Sequence, residues 1–352
     1  MTRSRGQRTR RSARWSLAWA AIGFVLFQVG IVAAGDLFAP ELYDPEYAAR
    51  LSRLQARHAE HPERPLLVLL GSSRTAQLFR PEQLPPIETT DGRVVIPFNF
   101  SRAGGGPVYS RIALSRICQQ SLKPEWVVVE FMPALMMHRY ERFFYTSITA
   151  SEIGDLARYI SGRRAVGCYA KLRLLPGYKL RTGLLRVLAP SWILPIGDSD
   201  PATTIDALGG EGKRIRPSMP NAERRAEDLR VSTGYARLLA GYKIDPGADR
   251  ALRDLLHHCR ETGIHVVMVR TPESSTFRAG YEPQALATLA EYESGLTREF
   301  GVRVIDAREW LPDEDFEDGH HPLLSGQVHF TDRLYRDVLI PLVRGRLDGP
   351  AK

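Results

Sequence analysis

The 352-residue sequence predicts a doubly wound, flavodoxin-like α/β fold with a parallel sheet of about five strands, flanking helices, a helical insertion and one N-terminal transmembrane helix. Three observations lead to this prediction. Short, continuous apolar runs recur along the chain, as is typical of parallel strands buried on both faces. Segments with apolar residues at helical spacing alternate with these runs, as they do in βαβ units. A long charge-free apolar segment near the N-terminus indicates a membrane-spanning helix.

The first 35 residues predict a membrane anchor. Residues 1–14 contain six arginines and no acidic residue, and residues 15–35 contain no charged residue. About twenty apolar residues can span a bilayer as a helix, and arginines on the amino side place that end in the cytoplasm. We therefore expect a basic cytoplasmic tail, a single-pass signal anchor and an extracytoplasmic domain, periplasmic or on the cell surface. A cleaved signal peptide is the alternative, with residues 32–34 as the cleavage site, although the run exceeds the ~7–15 residues of a signal core.

Residues 36–62 predict a juxtamembrane stalk followed by a helix. From Tyr47 to Arg57, apolar residues recur at helical spacing and arginines occupy the other faces. The formal net charge of the whole chain is +8, but much of the basicity lies in the tail. The charge therefore predicts no nucleic-acid partner.

Residues 63–348 are expected to form the α/β domain. Leu66–Leu70 is a continuous apolar run bounded by Pro65 and Gly71, which predicts the first buried strand. Ser72 and Ser73 follow at the position where an open α/β sheet presents groups to a ligand. The predicted strands are 66–70, 93–100, 126–132, 264–270 and 302–306, and helices are expected over 108–120, 248–262 and 285–300.

The last loop of this domain contains the partners that a nucleophilic serine requires. A serine hydroxyl is a poor nucleophile at its free pKa and needs a base. Asp318 and His321 stand three residues apart, so one loop can hold a histidine and the carboxylate that orients it. In a doubly wound sheet, this loop and the Ser72–Ser73 turn both follow carboxyl ends of strands. We therefore expect the two segments to meet at one edge of the sheet.

Together these motifs resemble the SGNH (GDSL-like) hydrolase superfamily, whose first block is a Gly-Asp-Ser turn and whose last block is Asp-x-x-His. The resemblance implies that Ser73 is the catalytic nucleophile, His321 the base and Asp318 the residue that orients it, with His320 as a reserve base. The Gly-Ser-Ser variant resembles the membrane-anchored branch that includes the D-alanyl transfer protein DltD and relatives of the alginate O-acetylation proteins.

This resemblance implies an activity and a set of partners. We expect a serine esterase or O-acyltransferase that moves an acyl group from an acyl donor to water or to a surface glycan or similar polymer. The resemblance also suggests a polytopic membrane O-acyltransferase as a partner, and no cofactor.

The glycine-rich loop after the second strand is expected to supply part of the oxyanion hole. In the family a glycine amide does this, and Gly104 or Gly105 is the matching residue, because glycine lets a backbone amide approach the substrate closely. A flexible loop leading into the next helix is the alternative. After the third strand the family would offer an asparagine as a further donor. This chain has Glu130 there, as either a substrate-binding or a structural carboxylate.

Two other interpretations use the same residues differently. Asp318, His320, His321 and His329 could bind a metal, but adjacent histidines do not easily face one ion and the spacing is unfamiliar, so we expect no metal site. Alternatively, the domain is a catalytically silent scaffold that partners a membrane O-acyltransferase. The missing asparagine favours this alternative, whereas the presence of all three triad residue types opposes it.

An insertion at about residues 139–243 has no counterpart in compact SGNH hydrolases. It contains eighteen Lys or Arg residues and ten Asp or Glu residues, an excess that would attract anionic polymers or lipid headgroups. Within it, residues 170–188 alternate basic and apolar side chains, which suits a helix pair lying on the bilayer. An ordinary insertion with a solvated basic face is an equal alternative.

Overall fold

A computed structural model of the chain describes residues 5–38, 42–137, 147–174, 176–189, 204–211 and 215–347. Four residues of the predicted tail (1–4) and the last residue of the predicted domain (348) lie outside the described residues. So do residues 39–41 of the predicted stalk, residue 138, and residues 139–146, 175, 190–203 and 212–214 of the predicted insertion.

Six strands form one sheet in the order β2-β3-β1-β4-β5-β6. They are β1 (Leu66–Leu70), β2 (Ile87–Glu88), β3 (Val94–Asn99), β4 (Pro124–Glu130), β5 (His265–Arg270) and β6 (Arg303–Asp306). All neighbouring pairs are parallel except β2 and β3. The predicted α/β fold on a mostly parallel sheet is therefore confirmed. Sequence analysis missed β2, since two residues are too few to display a period.

Helices surround the sheet and account for most of the remaining described chain. They are α1 (Arg5–Phe38), α2 (Pro45–Glu60), α3 (Ser73–Leu78), α4 (Pro107–Gln119), α5 (Ile153–Ala157), α6 (Gly162–Arg173), α7 (Pro176–Lys179), α8 (Arg181–Leu188), α9 (Asn221–Leu239), α10 (Pro246–Thr262), α11 (Ser275–Ala279), α12 (Pro283–Phe300), α13 (Leu324–Leu334) and α14 (Ile340–Val343). Asp44 and Asp245 cap α2 and α10 just before a proline, and α10 ends at the left-handed Gly263. These are ordinary start and stop signals for helices.

Strand β1 lies at the centre of the sheet and is buried on both faces. Leu66, Val68 and Leu70 belong to a core that also contains side chains of α2, α4, α10 and α12. Leu67 and Leu69 point the other way, into a core shared with side chains of α13 and α14. The alternation of side chains along one strand thus joins two hydrophobic layers. The strand order also places the carboxyl end of β1 in the middle of the sheet edge.

Helix α1 contains one segment, Ala13–Leu37, that is long and apolar enough to cross a membrane, with a mean hydropathy of 2.1. This segment is not buried inside the protein. The predicted N-terminal apolar helix is therefore confirmed, while its orientation in a membrane stays a prediction.

Helix α2 is held to the body of the protein by a buried charge, which yields a testable prediction. Arg50 is fully buried and binds Glu211 at 2.6 Å and Glu46 at 2.5 Å. Because Glu211→Ala would leave part of a buried charge unpaired, we expect it to lower the free energy of unfolding by about 3 kcal/mol. Urea unfolding in detergent measures this. Glu60→Ala, which removes the exposed pair with Arg57, is the control and should cost less than about 1 kcal/mol. Equal losses in the two variants would contradict the prediction.

Candidate active site

A sharp turn after β1 presents two serines at the edge of the sheet. Gly71 makes the turn, Ser72 is extended and caps α3, and Ser73 is the first residue of that helix. The hydroxyl of Ser72 accepts a hydrogen bond from the amide of Arg74 at 3.1 Å. A Cβ at Gly71 would collide with the side chains of Glu130 and Thr75. Only glycine therefore allows the turn to pass so close to the neighbouring strand.

Glu130, the last residue of β4, holds this turn in place. Its carboxylate accepts hydrogen bonds from the amide of Ser72 at 2.5 Å, the hydroxyl of Ser72 at 2.8 Å and the hydroxyl of Thr75 at 2.8 Å. Glu130 therefore acts as a structural carboxylate at the position where an asparagine would be expected. Since Ser72 is engaged by Glu130 and buried, Ser73 is the serine whose hydroxyl is directed elsewhere.

Ser73, His321 and Asp318 lie together in a continuous hydrogen-bonded chain. The hydroxyl of Ser73 is 2.9 Å from Nε2 of His321, and Nδ1 of His321 is 2.8 Å from Oδ2 of Asp318. Because a carboxylate only accepts hydrogen bonds, Nδ1 carries the imidazole proton and Nε2 accepts from the Ser73 hydroxyl. The geometry is that of a nucleophile, a base and an orienting acid.

The loop that holds Asp318 and His321 is braced on several sides. The second carboxylate oxygen of Asp318 accepts from the amides of His320 at 3.2 Å and His321 at 2.8 Å. Gly319 adopts a left-handed conformation (φ +88°), and its carbonyl accepts from the amide of Ser274 at 2.8 Å. A side chain at Gly319 would collide with Asp228 of α9. The loop conformation is therefore fixed by packing as well as by hydrogen bonds.

The electrostatic setting keeps Asp318 ionised. Burial alone would raise the pKa of its carboxyl, but the hydrogen bond from His321 and the electrostatic interactions with His320 and His321 outweigh burial. The pKa of Asp318 therefore lies well below its ordinary value. At neutral pH the residue is a carboxylate that can stabilise an imidazolium on His321.

His320 is buried beside the triad and does not bond to Ser73. Its ring packs against Tyr235, Phe277 and His321, with centroid separations of 5.0, 5.4 and 4.1 Å. Burial, followed by the electrostatic interactions with His321 and Arg74, holds the pKa of His320 well below its ordinary value. His320 is therefore a neutral packing residue, and the geometry favours His321 as the base.

A metal at this loop is the alternative interpretation of the same residues. Asp318, His320 and His321 offer atoms within 4.8 Å of one another, whereas His329 instead binds Asp315 at 2.7 Å. Both ring nitrogens of His321 are already engaged, one by Ser73 and one by Asp318. A metal would have to break the hydrogen-bonded chain in order to bind His321.

A cavity of about 400 Å³ opens beside Ser73. Residues lining it include Arg102, Gly104, Met132 and Tyr235. The amide of Gly105 already donates to the carbonyl of Arg102 at 2.9 Å. By contrast, no hydrogen bond among the described residues takes up the amides of Ser73 and Gly104. Of the two predicted glycines, Gly104 is therefore the one that lines the cavity and whose amide is not already bonded within the described residues.

Sequence analysis missed two ion pairs beside the cavity, one buried and one partly buried. Arg74 binds Glu273 at 2.9 Å, and Glu273 also accepts from the hydroxyl of Tyr281 at 2.8 Å. Arg102 binds both carboxylate oxygens of Asp44, at 3.0 and 2.8 Å, which anchors the segment that leads to Gly104. No spacing in the sequence signals either pair, because the partners are distant along the chain. The one available signal was the position of Arg74, next to Ser73.

Comparison with known proteins adds little on function. Residues 42–159 match a family model described as a protein of unknown function (DUF1574). The matched range includes Ser73, Gly104 and Glu130 but ends before the Asp318–His321 loop. No curated protein matches the chain.

His320 predicts how stability depends on pH. Because its pKa is lower in the folded protein than the ordinary value of about 6.5, the unfolded chain binds more protons below that pH, and acid favours unfolding. Between about pH 7 and about pH 5, we expect the free energy of unfolding to fall as the pH falls. In His320→Gln this fall should be less steep than in the wild-type protein, by up to about 1.4 kcal/mol per pH unit. Urea unfolding in detergent at a series of pH values measures this slope. His329→Gln, at an exposed side chain, should retain the wild-type slope. An equally steep loss in His320→Gln would show that His320 is not the group responsible.

Proposed function

We propose that the protein is a membrane-anchored, extracytoplasmic serine acyl-transfer enzyme of the SGNH type. It would be an esterase or an O-acyltransferase acting on a cell-surface polysaccharide or a similar acyl ester. The observation that carries the proposal is the unbroken chain from the Ser73 hydroxyl through His321 to Asp318, with Ser73 at the wall of a cavity. The fold supports it, since the parallel strands follow the 2-1-3-4-5 order of flavodoxin-like sheets, which bind ligands beyond the carboxyl ends of their strands.

In the proposed reaction, the Ser73 oxygen attacks the carbonyl carbon of the acyl donor while Nε2 of His321 takes the hydroxyl proton. The negative charge on the tetrahedral oxygen is stabilised by the amides of Ser73 and Gly104. Collapse of this intermediate breaks the bond to the leaving alcohol, which receives the proton from His321. Asp318 stays ionised throughout and holds the imidazole in the required tautomer.

The acyl group then leaves the serine by the reverse sequence. His321 removes a proton from water or from a sugar hydroxyl, whose oxygen attacks the Ser73 ester. The products are the free acid or the acylated sugar, and the proton returns to Ser73. Whether water or a glycan is the acceptor decides between an esterase and a transferase.

The N-terminal segment supports the proposed location. The apolar part of α1 follows six arginines, and basic residues flanking a span favour the cytoplasmic side. The folded domain would then lie outside the cytoplasmic membrane, where surface glycans are found. The SGNH resemblance suggests a polytopic membrane O-acyltransferase as the source of the acyl group.

A second candidate function is a catalytically silent scaffold for such an acyltransferase. The role of Glu130 favours it, because this carboxylate is used to hold the Ser72 turn and cannot donate to an oxyanion. The hydrogen-bonded triad argues against it. Reaction with a serine-directed probe separates the two candidates.

A fluorophosphonate probe tests the proposed nucleophile and base. We expect the wild-type protein to be labelled, and Ser73→Ala or His321→Ala to lower the labelling rate by about a thousandfold or more. Ser294→Ala and His329→Ala are the matched controls, since these side chains contact a helix carbonyl and Asp315 respectively. A wild-type protein that resists labelling, or a Ser73→Ala variant that retains it, would count against the enzyme and for the scaffold.

The probe also tests the position of the serine turn. In Glu130→Gln, an amide NH₂ must replace one carboxylate oxygen that now accepts from Ser72 or Thr75, so the turn should shift. We expect a labelling rate about 10 to 100 times lower, with the thermal unfolding midpoint confirming a folded protein. The control is Glu125→Gln on the same strand, whose carboxylate binds the exposed Arg93. Equal labelling rates for the two variants would mean that Glu130 does not position Ser73.

A further inference from the structure

Helices α6 and α7 contact α1 at two different levels. At the end of α6, the hydroxyl of Tyr169 and the guanidinium of Arg173 bind Asp36 at 2.5 and 2.6 Å. On α7, the amide of Gly177 donates to the side-chain oxygen of Gln28 at 3.1 Å. Gln28 precedes Asp36 by eight residues, so α7 lies about 12 Å further along α1 toward its amino end.

Helix α8 returns the chain to the segment that follows α1. Gly183 lies against Leu42, such that an added Cβ would be 3.3 Å from the leucine side chain. The contacts made by α6, α7 and α8 therefore run from Asp36 to Gln28 and then to Leu42. The three helices (Gly162–Arg173, Pro176–Lys179 and Arg181–Leu188) form a hairpin whose tip is α7.

The apolar span of α1 indicates the depth at which the tip would lie in a membrane. Asp36 is the first charged residue after the charge-free run and marks the outer boundary of the hydrocarbon. The hydrocarbon of one leaflet is about 15 Å deep. A tip about 12 Å beyond Asp36 therefore lies inside the outer leaflet if α1 spans the membrane. Gln28, a polar residue within an apolar helix, has its oxygen satisfied there by Gly177.

Two exposed side chains, Tyr178 on the tip and Leu174 at the end of α6, suit a lipid environment. Leu174 and Tyr178 are exposed by 76% and 61%, although both are large and apolar in body. Arg181 donates to the carbonyl of Tyr178 at 2.7 Å, and its guanidinium lies 4.3 Å from the centre of that ring. Higher up the hairpin, Tyr169 and Arg173 are the residue types that prefer the headgroup region.

We propose that the hairpin formed by α6, α7 and α8 inserts its tip into the outer leaflet of the same bilayer that α1 crosses. The proposal rests on the membrane anchor in the proposed function but not on acyl transfer. Leu174 and Tyr178 contact lipid tails, while Arg173 pairs with Asp36 at the level of the headgroups. The anchor of this protein is then a helix plus a re-entrant hairpin, and the lipid-facing surface reaches well beyond α1.

Cysteine accessibility in lipid nanodiscs tests this arrangement. Single cysteines are placed at Leu174, at Phe27 in the middle of the apolar span, and at Leu229, an exposed apolar residue of α9. The native thiols are removed by Cys118→Ser, Cys168→Ser and Cys259→Ala. We expect Leu174→Cys and Phe27→Cys to react with a charged, water-soluble maleimide at least about tenfold more slowly than Leu229→Cys, because the reactive thiolate needs water. Tyr178→Cys is the second reporter if Leu174→Cys does not fold.

The controls separate failure of the hairpin proposal from failure of the anchor. If Phe27→Cys is protected and Leu174→Cys reacts as fast as Leu229→Cys, the hairpin lies in water and the inference is wrong while the anchor stands. If Phe27→Cys also reacts at the rate of Leu229→Cys, the anchor proposal fails and the hairpin proposal fails with it. Fluorophosphonate labelling of the same samples reports the acyl-transfer proposal independently of both.

Discussion

The carboxylate of Glu130 joins the end of β4 to the turn that follows its neighbour β1, and the geometry of the site depends on this connection. Three donors from the turn converge on it, including the amide of Ser72. The close approach requires a glycine at position 71, because any side chain there would collide with the carboxylate. Parallel strands end at the same edge of a sheet, so one strand can position a loop carried by the next. The direction of the Ser73 hydroxyl follows from that constraint.

The buried charged side chains around the site form pairs. Asp318 is kept ionised by His321, and Arg74 is neutralised by Glu273 underneath the cavity. His320 lies between these groups and remains neutral, since burial, His321 and Arg74 all oppose its protonation. An unpaired charge in such a place would be costly, so each buried ion has its partner within hydrogen-bonding distance. The same pairs hold the loops that carry Ser73 and His321.

The insertion links the α/β domain to the N-terminal helix. Asp36 at the end of α1 binds α6, while Asp44 at the start of α2 binds Arg102 beside the cavity. The segment between α1 and the α/β domain is therefore held at both ends by buried or half-buried ion pairs. This connection restricts how far the cavity can move from the carboxyl end of α1. The proposed acyl-transfer enzyme would therefore act on substrates presented near the membrane surface.

The sequence by itself determined the parallel α/β sheet, the apolar N-terminal helix and the candidate residues Ser73, Asp318 and His321. These features depend on local signals: apolar runs at strand length, a charge-free segment and residue spacing within one loop. Only the tertiary structure decided that Ser72 serves Glu130 and that the amide of Gly105 is already used. It also decided that Arg74 pairs with Glu273, and that helices of the insertion contact α1. Apart from the local bond between Gly105 and Arg102, these contacts join residues far apart in the chain. Their partners are selected by strand order and packing, which leave no fixed spacing in the sequence.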